Sequence, residues 1–295
     1  MPCAPQSMVS PVARSHPNLT IRRYPAAPLA PKQGVGRRLA AFFLPPFIMG
    51  VLLVLAYWWA RSGLEPHRQF LMPTAEGLWT QAFSRPEIQR QLVEAAITTL
   101  SIALAGLAIS IPVGIGLAVV MFRFQVMEKA VFPYLVALQS IPVLAVIPLL
   151  QSALGFGFLP KVLIVALFTF FSIPTTLLLG LKSIDRAVLD LFRLQGARWP
   201  TMLRKAGFPS AAPTLFAGLR ISAGLAVVGA IVSELFFLSG PGGLGQMLIN
   251  AKIDFKYEQM YAALLVSSML SLGVYLLFSW LGNRLFSEWH ESGRK

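Results

Sequence analysis

Long stretches without a charged residue constrain this chain more than any other feature. A helix needs about 20 mainly apolar residues to cross a bilayer. The 295-residue chain has five uncharged runs of at least that length, and a sixth apolar stretch, 214–237, that Arg220 and Glu234 interrupt. Charged residues make up 13% of the chain, against about 25% in soluble domains. The sequence therefore predicts an all-α polytopic membrane protein with about six transmembrane helices. The uninterrupted runs are 39–60, 95–122, 130–160, 162–181 and 259–283. The run 130–160 is long enough for one helix and a short turn at 155–157.

The distribution of basic residues predicts the orientation. Six spans place both termini on one side of the membrane, and the side richer in Lys and Arg is expected to be cytoplasmic. With both termini inside, 18 of the 25 Lys and Arg residues face the cytoplasm and 7 face outward. The 12 acids divide into 5 inside and 7 outside, so the net charge of +13 lies wholly at the inner face. This predicts an N-in, C-in topology and removes any need for nucleic acid to explain the basicity.

The chain divides into three predicted regions. Residues 1–38 contain six Lys or Arg, no acid and many prolines, a composition typical of a disordered basic cytoplasmic tail. An organelle transit peptide has a similar composition and is the less favoured alternative. Residues 39–289 form the transmembrane domain, and 290–295 form a short C-terminal tail. The first run is too long, and too far from the start, for a cleavable signal peptide.

The residues that enzyme chemistry needs do not occur together. No Gly-Lys pair exists, so a phosphate-binding P-loop is excluded. The three histidines have no metal-ligand spacing, and Cys3 is the single cysteine. Residues 240–245 match G-x-G-x-x-G but follow a membrane helix rather than a strand, so a turn between spans is favoured over a dinucleotide site. We expect a non-enzyme without a catalytic, metal or cofactor site in this chain.

Few ionisable residues lie in or near the predicted spans. Glu94 opens the second, while Arg220 and Glu234 interrupt the fifth. The last two are 14 positions apart, roughly 21 Å along a helix, so they cannot pair with each other. Arg220 fits the inner interface and Glu234 the outer end of the span. Simple anchoring at the interface and a functional role are both open for each residue.

The most informative segment is the predicted cytoplasmic loop 182–213, between the fourth and fifth spans. Residues 185–195 read as a helix that ends at Gly196, and Pro200 suits the first turn of a second, shorter helix. Pro209 and Pro213 are expected to end that helix. Such a pair can dock into a groove on a partner or lie on the anionic inner leaflet, and periodicity does not separate the two. Its apolar stripe is Trp199, Met202, Leu203 and Ala206, and its polar side is Arg198, Thr201, Arg204 and Lys205.

This loop resembles the signature of permease subunits of bacterial ABC importers. That signature is Glu-Ala-Ala, three residues, Gly, nine residues, then Ile-x-Leu-Pro. Here Asp190-Leu191-Phe192 is followed at the same spacing by Gly196 and by 206–209, which end in Pro209. The acid, glycine and proline are kept, whereas both alanines are replaced by bulkier residues. Three further stretches resemble the nitrate/sulfonate/taurine branch, and the resemblance covers about 92–289. They are 139–149, 217–220 and 242–245.

The resemblance implies a permease (pore-forming) subunit in the bacterial inner membrane, paired with a second permease that is often an identical copy. A periplasmic or lipid-anchored binding protein would deliver the solute, and two ATPase subunits carrying ATP and Mg would drive alternating access. The solute would be nitrate, a sulfonate, taurine, bicarbonate or a vitamin precursor, and no residue discriminates among them. The alternative is a stand-alone secondary carrier or channel. The implied coupling helix contains Asp190, Gly196, Arg198, Trp199, Met202, Leu203, Arg204, Lys205 and Pro209.

Polar residues within the third run are the candidates for the pore. Gln139, Ser140 and Gln151 lie among prolines, which leave backbone carbonyls free at membrane depth only beside protein or a water-filled cavity. We expect these three to line the solute pathway, with hydrogen bonding between helices as the alternative. In the fifth span, Gly218, Gly224 and Gly229 are expected to permit close packing of helices.

Overall fold

The computed structural model describes residues 35–237, 240 and 242–286, and within these ranges all regular secondary structure is helical. The predicted tail 1–38 lies almost entirely outside the described residues, and the tail 290–295 does so entirely. The chain forms two compact units, one ending at Gly63 and one starting at Leu64. The first unit contains α1, Val35–Ser62, which begins four residues before the first uncharged run. Its C-terminal half exposes apolar side chains, as expected for a helix in contact with lipid.

The second unit is a bundle built on four long apolar helical segments. Each is long and apolar enough to cross a membrane, and a bent pair of helices counts as a fifth. The all-helical membrane fold is thus confirmed, while the number six and the N-in, C-in orientation stay predictions. The helices of this unit are α2 (Ala75–Leu78), α3 (Pro86–Arg123), α4 (Gln125–Ser140), α5 (Val143–Leu154), α6 (Phe158–Phe170), α7 (Ser172–Lys182), α8 (Arg186–Leu194), α9 (Trp199–Met202), α10 (Phe208–Phe236), α11 (Leu244–Ile253) and α12 (Tyr257–Phe286).

The third uncharged run does not form the single helix that its length suggests. The chain bends by 92° between α4 and α5. Ile141 takes an extended conformation (ψ 123°) and Pro142 follows it. The physical reason is local, because a residue before proline is disfavoured in the helical region and proline cannot donate a backbone hydrogen bond. Pro133 and Pro148 remain inside α4 and α5.

Helix α10 lies at the centre of the bundle and packs against α3, α6, α7, α11 and α12. Small residues permit this packing. A Cβ at Gly218 would overlap the side chain of Thr176 on α7, and one at Gly229 would lie 3.2 Å from Phe168 on α6. Close helix approach at these two glycines is therefore confirmed. Gly224 differs, because a Cβ there would meet nothing within 4 Å.

Hydroxyl groups link three helices inside the bundle. Ser110 on α3 and Thr169 on α6 are buried with their oxygens 2.6 Å apart, and the Ser110 hydroxyl also lies 3.1 Å from the Ala166 carbonyl. Ser222 on α10 donates to the Thr169 carbonyl at 3.2 Å. Polar contacts between helices in a membrane typically contribute about 1 kcal/mol each. These bonds fix the rotation of α3, α6 and α10 relative to one another.

Candidate functional site

The loop between α7 and α10 begins with a well-capped helix. The side chain of Asp185 accepts a hydrogen bond from the Ala187 N–H at 2.9 Å, so α8 starts one residue later. At the other end, the N–H groups of Gly196 and Ala197 donate to the carbonyls of Arg193 and Phe192, both at 3.0 Å. Gly196 has φ +63°, the left-handed conformation that glycine adopts at little cost. The predicted helix over 185–195 and its terminating glycine are thus confirmed.

The second loop helix does not end where its prolines suggested. Helix α9 continues through a π turn at Leu203–Gly207 directly into α10, which makes 199–236 one continuous helical segment. The Phe208 N–H donates to the Leu203 carbonyl five residues back, and Pro209 falls in the first turn that follows. Pro213 lies inside α10, where packed neighbours make the lost hydrogen bond tolerable. The expectation that Pro209 and Pro213 end the helix is wrong.

The apolar stripe of this segment faces the chain's own core. Leu203 and Ala206 are buried, and Trp199 packs against the cluster that contains Leu177 and Leu181 on α7. The Arg123 guanidinium at the end of α3 lies 5.7 Å from the Trp199 ring centroid. Trp199 is therefore partly covered by its own chain, and its predicted place in the coupling helix stays a prediction. Met202 is half-buried, whereas Arg198, Thr201, Arg204 and Lys205 are exposed, as the predicted polar side requires.

Helix α8 presents the exposed apolar surface of the loop. Val188, Leu191 and Leu194 are 38%, 53% and 87% exposed, and no residue of α8 is buried. Asp190 is exposed and pairs with Arg193 at 3.1 Å on the polar part of the helix. The predicted docking stripe lies on the following helix, and Val188, Leu191 and Leu194 were not among the predicted residues. The three apolar residues at i, i+3 and i+6 in a short charged helix were the available signal.

The three candidate pore residues are not brought together. Gln139 and Ser140 are exposed at the end of α4, directly before the 92° bend. Gln151 lies beyond the bend on α5, and its side-chain amide donates to the Phe236 carbonyl of α10 at 3.0 Å. Gln151 therefore has the interhelical hydrogen bond that was the alternative to pore lining. The two residues at the bend keep the exposure that a pathway requires.

Glu234 is fully buried, whereas a side chain that anchors a helix at the membrane interface would be exposed to the head groups. The Thr99 hydroxyl of α3 lies 2.9 and 3.0 Å from its two carboxylate oxygens, and the Gly245 N–H of α11 donates to one of them at 2.8 Å. Lys161 on α6 is also fully buried and attracts this carboxylate. Arg220 is partly buried and donates to the Phe216 carbonyl at 3.4 Å. We name Thr99, Lys161, Glu234 and Gly245 the Glu234 cluster.

Two glycines within 240–245 allow the backbone to lie close to Glu234. Gly240 has φ +91°, which fits the turn expected between spans. A Cβ at Gly243 would overlap the Glu234 carboxylate, and one at Gly245 would overlap the Ile231 carbonyl. The Gly245 N–H, which a dinucleotide fingerprint would offer to phosphate, is occupied by Glu234. Among the residues that the structure describes, no three His, Cys, Asp or Glu side chains form a group that could hold a metal.

The sequence is similar to that of known membrane transport proteins. Residues 110–287 match the family of binding-protein-dependent transport system inner membrane components. The chain is 32% identical over 245 residues to the riboflavin transport system permease protein RibX of Chloroflexus aurantiacus, covering 82% of this chain and 89% of that one. It is 31% identical over 240 residues to a probable ABC transporter permease protein of Haemophilus influenzae, covering 81% of this chain and 95% of that one.

The fold is shared with a solved transporter of this kind. An inward-facing structure of the MetNI methionine ABC transporter superimposes with a TM-score of 0.58 at 19% identity, covering 68% of this chain and 97% of that one. The family match spans more than half of the chain, and its permeases act with separate ATPase and substrate-binding subunits rather than as stand-alone carriers. The chain therefore belongs to the inner membrane components of binding-protein-dependent transport systems and is a non-catalytic, multi-pass permease subunit of an ABC importer.

Proposed function

We propose that two copies of this chain form the pore of an importer for a small polar or anionic solute, and that each copy receives its ATPase at α8. The observation that carries the coupling proposal is the exposed apolar face of α8, with Leu194 at 87% exposure. Leaving several large apolar side chains in water is unfavourable by about 25 cal/mol per Å². A partner subunit seated on this face would remove that penalty.

Membership of a binding-protein-dependent transport family, together with the arrangement of α9, favours a protein partner over the lipid leaflet. A helix lying on a membrane needs an apolar face toward the acyl chains and cations beside it. Helix α9 supports the exposed cations Arg198, Arg204 and Lys205 but turns its own apolar stripe into the core. It therefore has no free apolar face for the bilayer. Together, the apolar face of α8 and these cations fit an amphipathic groove with acidic residues on its rim.

The exposed bend supports the pairing of two copies. Gln139 and Ser140 stand on the surface of a bundle made for a bilayer. Polar side chains in such a place are expected to face protein or a water-filled path rather than lipid. A second copy of this chain, facing the first across the bend, would provide that path. ATP and Mg are proposed to bind the ATPase partner, in keeping with the lack of a Gly-Lys pair in this sequence.

The remaining features of the proposal are orientation and cargo. The excess of Lys and Arg in the tail and in the loop around α8 supports N-in, C-in orientation, with α8 in the cytoplasm. The riboflavin permease relative supports a small polar organic solute. Vitamin precursors, sulfonates, nitrate, taurine and bicarbonate form the group to screen, with the cognate binding protein as the selective component.

The test of the coupling proposal is a double substitution, Leu191→Asp with Leu194→Asp. Two carboxylates on the exposed face of α8 should reduce co-purification of the ATPase subunit at least tenfold, because the apolar contact is lost and acidic groups would oppose the acidic rim. Both side chains are exposed, so membrane insertion and thermal stability should not change. The measurement is the ATPase-to-permease ratio after affinity purification from solubilised membranes.

The matched control is Ile253→Asp. Ile253 is also an exposed apolar residue at the end of a short helix, but it lies on α11. This variant should retain the full ATPase ratio. Full retention by the α8 double variant would show that the ATPase does not bind there. Loss in both variants would equally contradict a specific site on α8.

A further inference from the structure

One buried carboxylate joins three helices at the end of the bundle opposite α8. Glu234 stands near the end of α10 and contacts Thr99 of α3 and Gly245 of α11, and the buried ammonium of Lys161 on α6 attracts its charge. Removing a carboxylate and an ammonium from water is expensive unless each is paired and hydrogen-bonded. All three side chains of the Glu234 cluster are fully buried. An ionisable group buried inside a membrane fold is a candidate for a structural or functional role.

Helix α11 depends on the Glu234 cluster for its first turn. The first N–H groups of a helix have no partner within the helix. In α11, the Leu244 N–H donates to the Thr99 hydroxyl oxygen and the Gly245 N–H donates to Glu234, both at 2.8 Å. A negative charge at this position also interacts favourably with the helix dipole. Side chains from α3 and α10 therefore cap α11, in place of a residue from its own segment.

The glycines before and inside α11 make this approach possible. A Cβ at Gly243 would overlap the Glu234 carboxylate, and a Cβ at Gly245 would lie 2.8 Å from the Glu234 Cβ. The backbone at the start of α11 thus lies so close to Glu234 that a side chain at position 243 or 245 would not fit. Displacement of α11 by even 1 Å would break both hydrogen bonds, because their strength falls steeply with distance and angle.

Helix α11 also forms one wall of a polar cavity. The cavity has a volume of about 360 Å³ and lies between the start of α3 and α11. Gly243 borders both this cavity and Glu234, so the cluster and the cavity share a wall. The lining polar side chains include Gln91, Glu94, Gln246, Asn250, Asp254 and Gln259.

We propose that Glu234 is a positioning residue that holds α11 in place as the wall of this polar cavity. Without its carboxylate, α11 undocks from α3 and α10 while the rest of the bundle stays folded. The assignment of the cavity to the outer mouth of the solute pathway rests on the proposed orientation. The docking of α11 by Glu234 does not depend on that orientation or on the ATPase site.

Cysteine labelling tests this directly, because Cys3 is the single cysteine of the chain. In a Cys3→Ser background, Ala263→Cys places a thiol on α12 in the fully buried cluster that also contains Leu244 of α11, away from the cavity lining. The assembled transporter in native membranes is treated with N-ethylmaleimide. Glu234→Gln keeps the size of the side chain but loses its charge and one acceptor oxygen, and it should speed labelling of Ala263→Cys at least tenfold.

Two controls separate local undocking from general loosening. Ala118→Cys reports on a fully buried site in the core near α9 and should stay protected in the Glu234→Gln background. Glu87→Gln removes an exposed carboxylate from the same end of the bundle as Glu234 and should leave both thiols protected. The ATPase ratio should be unchanged in all variants, since α8 is not involved.

A second variant tests independently whether the Glu234 cluster holds α11 in place. Thr99→Val keeps shape and the Glu234 charge but removes the hydroxyl that contacts both Glu234 and the Leu244 N–H. It should also raise labelling at Ala263→Cys, and it is a sufficient test by itself if the Glu234→Gln protein does not accumulate. Unchanged labelling of Ala263→Cys would overturn the proposal. Equal acceleration at Ala118→Cys would overturn it too, because the effect would then be global.

Discussion

Gly106→Val should lower the melting temperature of the purified permease by about 6–12 °C. Gly106 on α3 faces α6 so closely that an added Cβ would overlap the side chain of Val165 and lie 3.2 Å from the Val162 carbonyl. Val165 is fully buried and β-branched, so it has no alternative rotamer to take. Overpacking of this kind costs about 3 kcal/mol, which corresponds to the stated shift for a chain of this size. Thermal unfolding in detergent measures it.

Gly116→Val is the matched control for this substitution. Gly116 lies on the same helix, but a Cβ there would meet nothing within 4 Å. Valine at that position should change the melting temperature by less than about 2 °C, as for other substitutions away from packed sites. Equal destabilisation by both valines would mean that the loss comes from replacing a glycine in α3 in general. The close contact with α6 would then not be the cause.

Lys161→Met should destabilise the permease by a similar or larger amount. Both Lys161 and Glu234 are fully buried, and the two charges attract each other. Methionine fills the space of the lysine stem but leaves the carboxylate without a compensating charge. Breaking a buried pair from one side typically costs about 3–5 kcal/mol. The expected result is a fall in melting temperature of at least about 6 °C.

The double variant Lys161→Met with Glu234→Gln identifies the origin of that loss. If uncompensated charge is the cause, neutralising Glu234 in the Lys161→Met background should recover at least half of the lost melting temperature, because replacing both members of a buried pair is often nearly neutral. The same substitution in the wild-type background should be destabilising. Additive losses from the two substitutions would contradict a direct interaction between these charges.

The membrane fold could be predicted from the sequence, because uncharged runs of 20 or more residues are typical of membrane-spanning helices. The loop helix 185–195 could be predicted too, since Asp185 and Gly196 act through bonds within a few residues of themselves. Proline was a poorer guide. Pro142 interrupts its helix, whereas Pro213 does not, so the presence of a proline alone does not predict a helix end. The direction in which an apolar stripe faces depends on distant residues, so the packing of Trp199 against α7 could not be read from periodicity.

The Glu234 cluster shows what a linear reading misses. Thr99 and Glu234 are separated by 135 positions, and Thr99 and Leu244 by 145. No spacing rule connects residues so far apart, so a buried cap on α11 could not be inferred from local pattern. The glycines of 240–245 could be predicted to form a turn. The close approach of the Glu234 carboxylate, which comes from another helix, could not be predicted. The exposed face of α8 was visible in principle, because it follows helical periodicity.

The unbroken course of 199–236 has a mechanical consequence. At 1.5 Å per residue, these 38 residues form a rod of about 57 Å. One end of the rod lies beside α8, and Glu234 stands at the other. Because the segment is helical throughout, a tilt imposed at Trp199 would be carried past the π turn and Pro213 toward Glu234. Glu234 would pass such a movement on to α11, whose first turn it caps.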